Sequence, residues 1–300
     1  MNILNNLFVT TLPLVPKSIV RRFANKYIAG DSLEDAVNVT KQLNDRGIMT
    51  TIDVLGEGVF SRQDAVNAKN ECLEVLEAID KNRLNANHSL KPTSLGLGID
   101  YEFCLQNLTE IVKKANKLGQ FVRIDMEDSP YTTRTLNLYE DVYKKYQNCG
   151  VVIQSYMRRS MDDVAELAKM KTNFRLCKGI YIEPVEIAYK GKQEVRDNYL
   201  KLLRLMFENN CYVGIATHDD YLIEGAYKMI AGLNKQKHEY EFQMLLGVRD
   251  KLRNKIVKDG HRMRIYVPFG VHWYKYSIRR FKENPNMAGY AFKALFTGGR

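Results

Sequence analysis

Three hundred residues are enough for one large α/β barrel or for two medium domains. Hydrophobic residues at 45% and charged residues at 27% exclude wholesale disorder, and no apolar run reaches the roughly 20 residues that a membrane-spanning helix needs. Lysine plus arginine exceed aspartate plus glutamate, 45 against 35, a +10 charge that attracts anions without naming one.

Residues 1–48 read as two or three helices, an N-terminal helical extension and not a domain of their own. The opening stretch, MNILNNLFVTTLPLVPKSIV, has no basic segment ahead of its broken apolar run and no small-residue cleavage site, so it does not read as a signal peptide. A cytoplasmic location is the expectation. From residue 49 onward, apolar and β-branched runs recur at Thr50–Leu55, His88–Ser94, Phe121–Met126, Val151–Tyr156, Phe174–Tyr181, Tyr212–His218, Tyr240–Leu245 and Arg264–Phe269. Between them, apolar residues three and four apart predict helices over Asp64–Ile79, Phe103–Ala115, Leu136–Tyr146, Val164–Met170, Val195–Phe207, Leu222–Ile230 and Arg249–Val257. Eight strands alternating with helices predict an α/β fold, a TIM-type (β/α)8 barrel over 49–300 with a final helix after the eighth strand. An open doubly wound sheet is the alternative.

Cys72, Cys104, Cys149, Cys177 and Cys211 form no CxxC pair, and the five histidines show no i,i+3 or i,i+4 pairing, so a zinc site is disfavoured. Neither GxGxxG nor GxxxxGK[ST] occurs, nor HExxH or GxSxG. What does stand out is the polarity of the predicted strand ends: Lys91, Thr93, Asp125, Glu127, Gln154, Lys178, Thr217, His218 and Gln243. Each alone reads as a solvated loop residue, but together they favour a polar pocket at the end of the barrel where chemistry is done. The fifth strand carries Arg175 and Lys178, cations that a central strand accommodates only with partners: a bound anion or barrel carboxylates such as Asp125 and Glu127. Gly179 beside them permits close backbone approach to a ligand. In the final helix, Tyr276, Arg279, Arg280 and Glu283 fall at spacing 0, 3, 4 and 7 and share a face. Two arginine forks with an aromatic neighbour make a carboxylate or phosphate clamp, and a solvated basic helix is the bland alternative.

The ordered motifs SLKPTSLG (89–96), RIDMED (123–128), Gln154-Ser155-Tyr156, RLCKGIY (175–181), ATHD (216–219), EFQML (241–245) and YxxRRxxE (276–283) resemble the FAD-dependent proline dehydrogenases, in their short monofunctional bacterial form. The resemblance spans the barrel from Leu55-Gly56-Glu57 to Glu283. It implies oxidation of L-proline to Δ1-pyrroline-5-carboxylate by hydride transfer from C5 to N5 of FAD, with electrons passing to a membrane quinone. It further implies that Arg279, Arg280 and Lys91 grip the proline carboxylate, while Leu245, Tyr266 and Tyr276 wall the ring. Arg175 would lie near flavin N5, and Asp125 would orient Lys91 or an arginine. Met126, Gln154, Arg175, Lys178, Gly179, Ile180, Tyr181, Thr217 and His218 would hold the FAD. Glu57 would close the site by pairing with Arg279, and Glu283 would buttress the arginine helix. The bulk of Tyr276 implies proline in preference to hydroxyproline. A separate pyrroline-5-carboxylate dehydrogenase would take the product, since no aldehyde dehydrogenase region follows. Peripheral membrane contact is compatible with the +10 charge and the amphipathic N-terminal stretch. Pro92, Cys177, Ile180 and Asp219 depart from the family pattern, and none is expected to touch a residue assigned to chemistry.

Two other readings compete. A cofactor-free lyase would use Lys91 or Lys178 as a Schiff-base nucleophile. A nucleic-acid binder would need cations interleaved with exposed aromatics along a surface, whereas these cations converge on strand ends. No nucleic-acid partner is expected.

Overall fold

Among the described residues, eight strands close on themselves, and each of the first seven is followed by an amphipathic helix that helps bury the apolar outer face of the sheet. The computed structural model describes residues 20–21, 24–56, 58–274 and 276–278. The order is α1 (Leu33–Asn44), β1 (Met49–Val54), α2 (Arg62–Lys81), β2 (Ala86–Leu90), α3 (Tyr101–Lys117), β3 (Val122–Ile124), α4 (Ser129–Tyr143), β4 (Cys149–Gln154), α5 (Ser160–Ala168), β5 (Phe174–Cys177), α6 (Lys192–Glu208), β6 (Val213–Ala216), α7 (Asp220–Gly232), β7 (Tyr240–Leu245), α8 (Asp250–Lys258) and β8 (Met263–Phe269). All neighbouring strands are parallel, and β8 pairs with β1 from Met49↔Arg264 to Val54↔Phe269, so the sheet is a closed barrel and not an open one. Among the described residues, no helix is long and apolar enough to cross a membrane.

Local signals explain where the helices begin. Ser32 and Asp35 form a capping box on α1, Ser61 caps α2 through the Asp64 amide, and Asp100 caps α3 through the Phe103 amide. Helix α4 begins seven residues before the predicted Leu136. Ser129-Pro130 opens it, and the following threonines hide the apolar period even though Thr132 and Thr135 are buried. Its first amide and hydroxyl, both of Ser129, donate to the Glu183 carboxylate at 2.7 and 2.6 Å. That contact ties α4 to the long connection after β5.

All eight predicted strands are present, but several stop earlier than the apolar runs suggested. β2 ends at Leu90, because Pro92 opens a short 3-10 turn over Pro92–Leu95. β3 covers only Val122–Ile124, β5 ends at Cys177 and β6 at Ala216, so Met126, Lys178–Tyr181 and Thr217–His218 lie on the loops that follow.

Strand alternation sends Ile52, Val122, Ile124, Val151, Phe174, Leu176, Val213, Ile215, Phe242 and Val267 outward into the helix layer, where all are fully buried. The inward positions are unlike those of a packed aliphatic barrel. They carry Asp53, Arg123, Arg175, Glu241 and Gln243, each at most 7% exposed. Room for these long side chains comes from glycine. A Cβ on Gly150 would stand 2.2 Å from the Asn173 carbonyl oxygen and 2.5 Å from an Arg123 guanidinium nitrogen, and one on Gly214 would stand 2.3 Å from the Gln243 amide. We expect Gly150→Ala to lower the unfolding free energy by about 1–3 kcal/mol, measured by urea denaturation, while Gly232→Ala, where nothing lies within 4 Å of the added carbon, has a far smaller effect.

Candidate active site

The C-terminal mouth of the barrel is built around two buried ion pairs. Lys91, just past β2, places its ammonium 3.0 and 3.1 Å from the two oxygens of Asp53 on β1, with side-chain exposures of 9% and 1%. Arg175 on β5 donates from one terminal nitrogen to Asp125 at 2.8 Å and from Nε to the Gln243 amide oxygen at 2.7 Å. Ser89 bridges them, donating to Asp125 at 2.7 Å and accepting from Arg175 at 3.2 Å, while Thr51 accepts from the other Arg175 nitrogen at 3.4 Å. Tyr266 on β8 lies under the guanidinium, 5.5 Å from ring centroid to Arg175 Cζ, and donates to Asp125 at 3.4 Å.

The electrostatics follow from burial. Removal from water raises the Asp53 carboxyl above its ordinary value; Lys91 pulls it back down and the neighbouring Asp125 pushes it further up. Burial likewise raises the Tyr266 phenol well above its usual range, and the carboxylates of Asp53 and Asp125 add to that, so the hydroxyl stays a donor. Deeper in the barrel, Arg264 donates to Glu241 at 2.6 and 3.0 Å, and Tyr212 and Gln243 donate to the same carboxylate at 2.7 Å each. Burial opposes ionisation of Glu241, but Arg264 and these donors outweigh it and hold the carboxyl down at about 2.

The predicted site residues divide by sector. Met126, Gln154, Arg175, Lys178, Gly179, Ile180, Tyr181, Thr217 and His218 follow or end the consecutive strands β3 to β6, whereas Lys91, Leu245 and Tyr266 belong to β2, β7 and β8. Gln154 donates to the Glu127 carbonyl at 2.9 Å, and His218 Nε2 accepts from the Leu245 amide at 3.0 Å, which joins the sectors. That bond puts the His218 proton on Nδ1 when the ring is neutral. Tyr276 is 7% exposed, packed with Ala24, Ile28, Leu55 and Trp273, and lines with Lys91, Glu127 and Tyr181 a cavity of about 960 Å³ over the mouth. Glu57, Arg279, Arg280 and Glu283 lie outside the described residues.

Several expectations change. Asp125 orients an arginine, Arg175, because Asp53 already holds Lys91. Glu127 takes neither cation: it accepts from the Thr93 amide at 2.9 Å and from the Thr93 hydroxyl, pinning the turn after β2. The close approach at Gly179 is to protein, since a Cβ there would stand 2.2 Å from the Tyr156 ring, and its φ of +104° suits glycine alone. Asp219 touches a residue assigned to the cofactor and none assigned to chemistry: it lies 3.5 Å from the Lys178 ammonium while also capping α7 and accepting from Arg196 at 2.7 and 3.0 Å. The residue that sequence reasoning missed is Asp53. Its signal is a lone carboxylate at the third inward position of an otherwise apolar and threonine-rich strand, MTTIDV.

The chemistry of the β3 to β6 sector fits a flavin dinucleotide. It offers a buried guanidinium in Arg175, a rim cation in Lys178 with its side chain 44% exposed, hydrogen-bonding groups in Gln154 and Thr217, and an apolar Ile180 that is 44% exposed. It does not fit a Schiff-base lysine, since Lys91 and Lys178 are both ion-paired ammonium groups and a nucleophilic lysine must be neutral.

A closed parallel barrel with a charged, partly enclosed mouth at its C-terminal end defines a barrel enzyme. The profile of the family described as Proline dehydrogenase matches residues 36–291. The chain is 37% identical over 272 residues to Proline dehydrogenase 2 of Bacillus subtilis (strain 168), covering 91% of this chain and 90% of that protein. It is 32% identical over 280 residues to the Proline dehydrogenase of Deinococcus radiodurans, covering 92% and 90%. Its fold superposes with a TM-score of 0.83 on the crystal structure of proline utilization A (PutA) from Bdellovibrio bacteriovorus inactivated by N-propargylglycine, at 27% identity over 88% of this chain, which spans about a third (33%) of that longer one. This chain belongs to the proline dehydrogenase family.

The Glu241 carboxyl, held at about 2 against an ordinary 4.5, contributes stability that is complete above pH 4.5 and is lost as the pH falls toward 2. Glu241→Gln is therefore expected to flatten the pH dependence of the urea midpoint across that window. It should also lower the midpoint at pH 7, where Arg264 has lost its partner.

Proposed function

We propose that this barrel is an FAD-dependent L-proline dehydrogenase that carries out the first step of proline degradation to glutamate. The coarse part of this reading, proline dehydrogenase activity, follows from family membership. The observation that supports the finer part is the placement of Arg175 and Lys178 on and just after β5, among the neighbouring strands β3 to β6, with a separate buried cation, Lys91, just past β2. Bound FAD would supply the hydride acceptor, its N5 taking hydride from C5 of proline as the ring nitrogen gives up a proton, with a membrane quinone as final acceptor.

The residues of the chain then have distinct tasks. Lys91, with Arg279 and Arg280, grips the proline carboxylate through charge-assisted hydrogen bonds, which makes the transfer effectively intramolecular. Leu245, Tyr266 and Tyr276 shape the ring pocket, and the bulk of Tyr276 disfavours a 4-hydroxyl group. Asp125 fixes Arg175 so that its positive charge faces the electron acceptor as negative charge arrives. Met126, Gln154, Lys178, Gly179, Ile180, Tyr181, Thr217 and His218 hold the cofactor. Glu57 closes the site onto Arg279, and Glu283 supports the arginine helix. The chain divides into an N-terminal extension, 1–48, and the catalytic domain, 49–300, with peripheral contact at the inner face of the cell membrane. A separate pyrroline-5-carboxylate dehydrogenase takes the product.

An anaerobic visible spectrum of the purified protein tests the reading. Flavin absorption that bleaches on addition of L-proline is the expected result; a colourless protein that does not take up FAD would overturn it. Arg279→Met and Arg280→Met should each raise KM for proline at least about tenfold with little change in FAD content. Arg175→Met should instead lower kcat by about 10²–10³ and lower the flavin midpoint potential, read by redox titration.

A further inference from the structure

We infer that Asp53 is the positioning residue of the carboxylate grip: it fixes the direction of the Lys91 ammonium. The inference rests on the reading of Lys91 as a substrate cation and extends it to a residue with no assigned role.

Lysine is a poor fixed donor by itself, because a flexible stem of four methylenes lets its ammonium wander and burial without a partner drives the charge out of the site. Asp53 removes both problems. It stands opposite Ser89 in the β1–β2 register, two residues before Lys91, so Asp53 and Lys91 meet on the inner face of the barrel. Both Asp53 oxygens lie close to Nζ, at 3.0 and 3.1 Å, so one carboxylate sets the place and direction of the ammonium at the end of its flexible stem. Lys91 also lines the cavity of about 960 Å³ at the mouth, where a ligand carboxylate would be received.

Tyr266 stands at the same corner of the mouth: its hydroxyl donates to Asp125 at 3.4 Å, and Arg175 is stacked on its face. The titratable groups that act on Asp53 from the surrounding elements are Lys91, Asp125 and Tyr266 within the barrel, with Cys72 of α2 behind the sheet.

A double-mutant cycle tests this, with FAD content, kcat and KM for L-proline measured on holoenzyme for the wild type, Asp53→Asn, Lys91→Met and the double variant. We expect each single variant to raise KM about tenfold or more, with kcat falling less and flavin retained, and the double variant to be no worse than Lys91→Met alone. Wild-type KM in Lys91→Met would sink the substrate-cation reading itself. Raised KM in Lys91→Met but not in Asp53→Asn, or full additivity in the double variant, would overturn the positioning role alone. Should Asp53→Asn not fold, Asp53→Glu, which keeps the charge but displaces it, replaces it in the same cycle. A KM for Asp53→Glu equal to wild type would count against the role, and a raised KM that vanishes as an effect in the Lys91→Met background would support it.

Discussion

A charge inside a parallel barrel has to be answered within hydrogen-bonding distance, and that requirement organises the interior of this protein. Arg264 donates to Glu241, Gln243 donates to Glu241 and accepts from Arg175, and Arg175 donates to Asp125. The result is a continuous column of charge-assisted bonds from deep in the barrel to its mouth. Asp53 and Lys91 stand beside its upper end, where the Tyr266 hydroxyl donates to Asp125. In a low-dielectric interior each such bond is stronger than in water, and an unanswered member is correspondingly destabilising. The column therefore does little for net stability by comparison with an aliphatic core, but it makes one arrangement of the side chains far better than any other.

The outer layer makes that arrangement affordable. Outward-facing Ile, Val, Leu and Phe on every strand, with the helix faces above them, provide the burial that holds the barrel closed whatever the interior carries. Glycines at 150 and 214 surrender packing to admit Arg123 and Gln243. Stability and chemistry are thus separated by strand alternation itself, with odd and even positions of one strand serving different ends.

The sequence revealed the eight-strand order because outward apolar residues repeat with the strand period and helices are amphipathic between them. Strand ends were less legible. In Phe174–Tyr181 the apolar character of Ile180 and Tyr181 continues past Cys177, yet the chain leaves the sheet there, and only Gly179 hinted at the change. The start of α4 was hidden for the opposite reason, its first turns being buried threonines and not aliphatics. Partner choice was the least legible feature. Which carboxylate meets which cation depends on register between strands distant in sequence: Lys91 and Asp53 are 38 residues apart, and Arg175 and Asp125 are 50 apart. Composition offered Asp125 and Glu127 as candidates, and nothing local in the sequence announces that Asp53 takes Lys91 while Glu127 turns to Thr93.

The two ion pairs differ in a way that bears on their separate duties. The Arg175–Asp125 pair is surrounded by Ser89, Thr51, Gln243 and the Tyr266 ring, so its guanidinium has few alternative orientations. A planar fork held at several points suits a fixed positive charge facing an electron acceptor. The Lys91–Asp53 pair instead places a compact ammonium at the cavity wall with its carboxylate behind it. On the proposed function, the rigid cation would serve the cofactor side and the ammonium at the cavity wall the substrate side.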